Sequence, residues 1–471
     1  MHKLFIDTGG TFTDAIAILP EGKIERRKIL SSGRLRGQII SFIDETHLLI
    51  QENWSSEIDI FNDFTFSTLE KVSHSCKVVS YDVKNHILEI GTEIKSNAKL
   101  IGLAFELYTG EEAPVVAARL LTQTPLNKKF PSTEIRLGTT KGTNALLEHK
   151  GAKNLLFITK GFGDLLEIGN QARPDIFSLN IQKRKSLVNK IIEIDERIDA
   201  KGNVVKELDI SKYADEVKAL REEGFESFSI VFMNAYANSN HEQLFKKLLE
   251  SLGLKHISVS SELSPLIKIL ERAETTSVNA YLSPIIQDYL NNITLHTQAK
   301  LHIMNSAGGL MKIENYQAKD SLLSGPAGGV VGAAFVGDLI NKDKLITFDM
   351  GGTSTDVSRF HKSFDYKYEL EIGSAHIYSP AISIETVAAG GGSICSFDGY
   401  KLTVGPESAG ADPGPACYGA GGPLTITDVN LLLNRIDDTK FGIPIDIKAA
   451  EKQLDILIET IEIQRNEKVS R

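Results

Sequence analysis

Two short stretches of this chain share one acidic, glycine-bearing pattern. Residues 7–14 read Asp7-Thr8-Gly9-Gly10-Thr11-Phe12-Thr13-Asp14, and residues 349–356 read Asp349-Met350-Gly351-Gly352-Thr353-Ser354-Thr355-Asp356. At a single offset (349 − 7 = 356 − 14 = 342), six of the eight positions are identical. Paired glycines after a strand let the backbone approach a ligand closely and adopt positive φ. Successive N–H groups in such a turn form a concavity for anions, phosphate above all. The hydroxyls of Thr11, Thr13, Thr353 and Thr355 can donate to phosphate oxygens. A carboxylate beside a phosphate cradle repels it unless a cation lies between them. Asp7 and Asp349 therefore point to Mg²⁺, which takes carboxylates, waters and substrate phosphates rather than a closed protein cage. Hairpins that only cap their own turns would explain one copy. Two matched copies are what a nucleotide held between two similar lobes requires.

Each pattern needs a strand to deliver it, and an apolar β-prone run precedes both, Leu4-Phe5-Ile6 and Leu345-Ile346-Thr347-Phe348. Residues 23–30 alternate and predict a third antiparallel strand. Residues 33–53 read as an amphipathic helix with Ile39, Ile40, Ile43 and Leu48 inward, and 54–100 as strand-like. A helix is expected over 110–122, with Pro114 near its start. Strand 134–138 leads through Thr139 and Thr140 into a helix over 144–148. Backbone donors at that start could hold a carboxylate or phosphate, and capping by Thr140 or Thr143 is the plainer reading. After a buried-type strand at 153–159, Arg173 in a glycine-rich segment could pair with a substrate carboxylate or form an ordinary salt bridge. A hairpin at 201–203 follows. Helices 211–224 and 239–252 then alternate with strands 227–232 and 256–260 as α/β units. A long helix is expected over 271–296. The helix starting at Ser324 is crowded with small residues, as a hinge between lobes would need. Gly390-Gly391-Gly392 reads as a further nucleotide or substrate contact, and 405–423 as an ordered loop over the cleft. Helices 428–435, capped by Thr427-Asp428, and 447–464 close the chain.

The twin turns resemble those of the acetate kinase, sugar kinase, Hsp70 and actin superfamily. Four further stretches narrow the resemblance: 136–148 (RLGTTKGTNALLE), 169–175 (GNQARPD), 324–329 (SGPAGG) and 405–419 (GPESAGADPGPACYG). With them the chain resembles the hydantoinase A/5-oxoprolinase family from its first strand to about residue 445. That resemblance implies an α/β fold of two ribonuclease-H-like lobes around a nucleotide cleft. Residues 1–180 would carry the first hairpin, 181–335 the remainder of the first lobe, and 336–471 the second lobe. Longer family members continue beyond this point with a segment resembling the superfamily's adenosine-binding motif, so the second lobe is expected to be incomplete. A B-type subunit or the missing carboxyl-terminal part is the expected partner.

The activity implied is ATP-dependent opening of a cyclic amide, 5-oxoproline or a hydantoin, through a phosphorylated amide. Thr8, Gly9, Gly10, Thr11, Thr13, Gly351, Gly352, Thr353, Ser354 and Thr355 would contact the nucleotide. Asp7 and Asp349 would hold Mg²⁺ through waters, with Asp14 and Asp356 as supporting or base candidates. Thr139, Thr140, Asn144 and Arg173 would face substrate. A small-molecule kinase, a nucleotide-binding subunit without turnover and a carboxylase subunit related to acetone carboxylase are the alternatives.

Composition fits this reading. The 471 residues predict two or three lobes. The 42% apolar and 24% charged content is that of an ordinary globular chain. A net charge of −9 argues against nucleic acid as the main partner. Cys76, Cys395 and Cys417 show neither a disulfide framework nor metal spacing. The start has no signal-peptide layout and no apolar run reaches membrane length, so a cytoplasmic enzyme is expected.

Overall fold

The computed structural model describes residues 1–54, 56–69, 74–94, 100–172, 177, 179–180, 183–373, 375–437, 441 and 443–470. It is a mixed α/β fold. Its main sheet has six strands in the spatial order Leu310–Lys312, Lys300–Met304, Thr133–Thr139, His2–Thr8, Phe12–Ile18 and Ile24–Leu30. The first strand therefore has neighbours on both sides, Thr133–Thr139 in parallel and Phe12–Ile18 antiparallel. Side chains alternate along a strand, and here Leu4 and Ile6 point into the principal apolar core. Helix Ala113–Thr122, with proline in its first turn as expected, packs on that sheet. Tyr289, on the long helix Ile269–Thr297, donates its buried hydroxyl to Thr8 Oγ1 at 3.3 Å.

The helix expected over 33–53 is not there. Strands Leu35–Phe42 and His47–Gln51 occupy that stretch, and with Ile87–Ile90, Ser75–Asp82, Thr65–Thr68 and Ala104–Tyr108 they close into a barrel. The apolar spacing suits a helix, but the β-branched isoleucines favour a strand. Asp44 also reverses the chain by accepting the backbone N–H groups of Thr46 and His47, both at 2.8 Å. Ile39 and Leu48 do face inward, whereas Ile40 and Ile43 are exposed.

A second layer is a four-stranded parallel sheet, Lys190–Ile194, Asn154–Thr159, Ser227–Val231 and Ile257–Val259, with helices Ala214–Glu222 and Asn240–Ser251. All of Asn154–Thr159 is buried, as a central parallel strand should be. Buried Arg272 ties this layer to the long helix by donating to the Phe232 carbonyl at 2.9 Å.

The second acidic hairpin belongs to a smaller sheet, Lys344–Met350, Thr355–His361 and Ile384–Val387, in that order. Helix Ser324–Leu339 connects it to the main sheet. The intervening hairpin Tyr366–Ile372/Ala375–Ile382 packs on the long helix, and its Leu370, Ala375, Ile377 and Ala381 join the principal core. The segment expected as a loop over 405–423 begins instead as strand Leu402–Ser408, paired with Ser393–Phe397. The following helix starts earlier than expected, at Ile426, because Thr425 and Asp428 form its capping box. Helix Ile447–Arg465 follows. Among the described residues, no helix is long and apolar enough to cross a membrane.

Candidate functional site

The two acidic hairpins are built alike. Gly9 N–H closes the first tip on the Phe12 carbonyl at 3.0 Å, and Gly351 N–H closes the second on the Ser354 carbonyl at 2.9 Å. Antiparallel register sets Asp7 opposite Asp14 and Asp349 opposite Asp356, so each hairpin presents a pair of carboxylates. The tips meet. A methyl group built on Gly352 would collide with the Thr11 hydroxyl, and one on Gly10 would lie 3.7 Å from both Thr353 Oγ1 and Asn144 Nδ2. None of Gly9, Gly10, Gly351 and Gly352 has positive φ, contrary to the expectation from glycine pairs. Close approach, not backbone handedness, is what these glycines permit.

Helix Ser324–Leu339 carries small residues past both acids. Methyl groups at Gly138 and Gly325 would stand 2.8 and 3.2 Å from Asp7 Oδ1, and one at Gly329 would stand 4.0 Å from Asp349 Oδ2. Gly325 and Gly329 are four residues apart and so lie on one helix face. The two carboxylates therefore flank a single helical turn. Asp7 is reached by solvent, yet the protein crowded around it pushes its carboxyl up to about 6, with the charges of Asp14 and Asp349 adding and Lys28 opposing. Burial raises Asp356 as well, with Asp349 adding to the effect and the hydrogen bond from Thr386 opposing it.

Two residues outside the repeated motif hold the outer acids. Lys28 Nζ lies 2.7 Å from Asp14 Oδ2, and Thr386 Oγ1 donates to Asp356 Oδ1 at 2.6 Å. They occupy matching places, each directly opposite its aspartate on the neighbouring third strand. Only the strand register reveals this, although Lys28 falls in the alternating stretch that predicts that strand.

The other candidates divide between the tips and their supports. Thr11 is buried under Gly352, and Thr353 is exposed at its tip. Thr13 and Thr355 point inward, to Ser31 Oγ at 3.1 Å and the Ala389 carbonyl at 2.5 Å. The Thr8 carbonyl accepts from Thr140 N–H at 2.9 Å and Thr140 Oγ1 at 3.2 Å, and Asn144 Nδ2 donates to Thr140 Oγ1 at 3.4 Å. This brings Thr140 and Asn144 to the first tip. Buried Thr139 instead accepts from Lys141 N–H and binds Ser324. Neither Thr140 nor Thr143 caps helix Lys141–Leu147. Gly391 and Gly392 donate their N–H groups to the Gly351 and Gly352 carbonyls at 2.9 and 2.6 Å. A methyl on Gly390 would meet Gly352 at 2.7 Å, so the triple glycine braces the second tip from beneath. Arg173 lies outside the described residues. Its preceding motif residues Gly169–Ala172 line a separate cavity of about 370 Å³, with Glu274, Ser277 and His376. Ser277 and Tyr289 are twelve residues apart on one helix, about 18 Å at 1.5 Å per residue.

Among the described residues, no three His, Cys, Asp or Glu side chains could hold a metal by themselves. The chemistry of the site is that of four carboxylates around small-residue backbone, with charge to be neutralised.

The sequence matches the hydantoinase/oxoprolinase family over residues 272–470 and that family's N-terminal region over 98–253. The 5-oxoprolinase of Dictyostelium discoideum is 40% identical over 384 residues, covering 70% of this chain and 30% of that protein. The caprolactamase subunit alpha of Pseudomonas jessenii is 34% identical over 324 residues, covering 64% of this chain and 45% of that one. The crystal structure of the ATP-dependent caprolactamase superposes with a TM-score of 0.60 at 25% identity, over 98% of this chain and 60% of that chain. Nucleotide-free acetone carboxylase gives 0.69 at 19% identity, over 99% of this chain and 59% of that one, a likeness of fold. The chain thus spans about three tenths of the length of the curated 5-oxoprolinase it matches. Together the two sequence matches cover both halves of the molecule, and with the 5-oxoprolinase relative they establish that this chain belongs to the hydantoinase/oxoprolinase family.

Proposed function

We propose that this chain is the nucleotide-binding part of an ATP-dependent hydrolase that opens a cyclic amide of the 5-oxoproline or hydantoin type. The observation that carries this reading is the tip-to-tip meeting of two matched hairpins with four aspartates around them. The main sheet and the smaller sheet are then the two lobes of a nucleotide cleft. The tip amides and the hydroxyl of Thr353 would face the phosphates, with Thr140 and Asn144 beside them and Thr11 supporting the second tip from below. Asp7 and Asp349 would hold Mg²⁺ through waters. Burial raises Asp7 most, and the charges of Asp14 and Asp349 add a repulsion that a cation would relieve. Bound there, Mg²⁺ would neutralise charge developing on the transferred phosphoryl group.

A lactam is a poor electrophile with a poor leaving group. Its oxygen would take the γ-phosphoryl group as ADP departs, and water would add at the same carbon. The ring C–N bond would then open as nitrogen gains a proton, leaving an acyl phosphate that a second water would hydrolyse to the carboxylate and inorganic phosphate. Positioning and charge neutralisation supply most of the help in such transfers. The name of the caprolactamase relative, an alpha subunit, supports a further subunit for the complete reaction. The test is to incubate the complex with ATP and 5-oxoproline, hydantoin or caprolactam. Substrate-dependent release of inorganic phosphate with ring opening is expected. Phosphate retained on a stable product would make the protein a kinase, and absence of ATP binding would end the proposal.

A further inference from the structure

The cavity beside Gly169–Ala172 takes no part in the tip site, and its charged groups are unevenly paired. Its volume of about 370 Å³ is that of a small-molecule site. The long helix Ile269–Thr297 contributes Glu274, Ser277 and Val278, which share one helical face. Strand Ala375–Ile382 contributes His376, and Tyr378 N–H fixes that strand to the helix by donating to Thr275 Oγ1 at 2.9 Å. Arg184 is engaged by Glu371 at 2.5 Å and also donates to His376 Nε2. Lys183 is engaged by Glu167 at 2.8 Å. With Nε2 accepting, His376 keeps its proton on Nδ1, and that atom stands 4.0 Å from Glu274, too far for a hydrogen bond. Glu274 thus accepts no hydrogen bond among the described residues, and burial raises its carboxyl, with His376 and Arg184 opposing. Lys185, exposed at the cavity, pairs with no acid among the described residues. Ser277 is 4% exposed, and its hydroxyl has no hydrogen-bond partner there.

One unpaired carboxylate, one unpaired ammonium group and one buried hydroxyl without a partner complement a zwitterion. We infer that this cavity binds a linear amino acid, its ammonium on Glu274 and its carboxylate on Lys185 and Ser277. Leu166, Leu187 and Val278 would cover its methylenes. Opening a lactam creates an amine and a carboxylate at once, so a product of the proposed reaction has this chemistry. The choice of amino acid rests on that reading, whereas the demand for two opposite charges does not. The bound molecule is not the reacting one. Ser277 lies about 18 Å along the helix from Tyr289, which meets the first tip at Thr8, and reacting atoms must come within about 3.5 Å. A lactam, moreover, brings no ammonium to Glu274.

The full chain, without ATP, is to be titrated by calorimetry with L-glutamate and 6-aminohexanoate, and with glutarate and hexanoate as their counterparts lacking the ammonium. One site per chain is expected for at least one of the amino acids. Its counterpart should bind about tenfold or more weaker, and Glu274→Gln should weaken the amino acid by a similar factor. Lys185→Ala, at an exposed residue without an ion pair, leaves the fold intact and should also weaken it by about tenfold. Asp7→Asn, at the tips, should leave the affinity unchanged. Absence of binding by both amino acids overturns the inference. So does an affinity indifferent to Glu274→Gln and Lys185→Ala, or one lost in Asp7→Asn, which would put the ligand at the tips. Tighter binding of 5-oxoproline than of glutamate, dependent on Glu274, would make the occupant a lactam and likewise overturn it. A complex that binds the amino acid here yet opens no lactam would uphold the site and end the proposed function.

Discussion

The first and second hairpins share six of eight tip residues and the same closing hydrogen bonds, but not the same surroundings. Around the first, a sheet neighbour on each side and helices on one face bury Leu4 and Ile6. Around the second, one edge and one face remain open. Local sequence therefore builds the tip, and the surroundings build its stability. The difference also extends to the outer acids, held by an ammonium group in one copy and a hydroxyl in the other.

The largest effect is expected at the contact between the tips. Gly352→Ala places a methyl against the Thr11 hydroxyl, whereas Gly10→Ala meets only ordinary contacts. Misplacement by an ångström can cost about 10²-fold in rate. ATP turnover by the complex should fall on that order for Gly352→Ala and much less for Gly10→Ala. Equal losses would mean that the tips do not rest on each other.

The strands come next. Leu4→Ala should cost about 2–5 kcal/mol in denaturant unfolding, as expected for a buried leucine. Ile346→Ala should cost less than about 0.5 kcal/mol in the isolated chain. A comparable cost at both positions would contradict an open second face.

Asp7 gives a pH test. Its carboxyl is raised to about 6, so between about 4 and 6 the native state binds more protons than the unfolded one, and this group's contribution to stability falls as pH rises. Asp7→Asn should therefore stabilise the unliganded chain above pH 6, with the advantage vanishing below about pH 4. Melting temperatures across that range check the sign. Mg²⁺-dependent nucleotide binding should move the opposite way and weaken in the variant.

The smallest effect is expected at Lys28. Its bridge to Asp14 is partly exposed on both sides, and such pairs contribute about 0–1 kcal/mol. Lys28→Met should leave stability within that range. It should also raise the Asp7 carboxyl further, visible by NMR titration, because a neighbouring positive charge is removed.

The strand-to-turn units, the parallel layer and the long helix are legible in the chain because their periodicity and turn residues are local. The barrel is not, since Ile39, Ile40, Ile43 and Leu48 satisfy a helical spacing as well as a strand pairing. Its closure depends on partners as distant as Ala104–Tyr108. The triple glycine stands out as unusual, but nothing local marks it as the brace that takes up the carbonyls of Gly351 and Gly352.

Residue types at short spacing were enough to establish the two acidic tips, their equivalence and the family. Three other facts came only with the folded chain: the tips touch, Asp7 and Asp349 flank one turn of helix Ser324–Leu339, and Ile346 and Phe348 stay uncovered. Each depends on which distant segments pack together, and side-chain alternation within a strand carries no record of that.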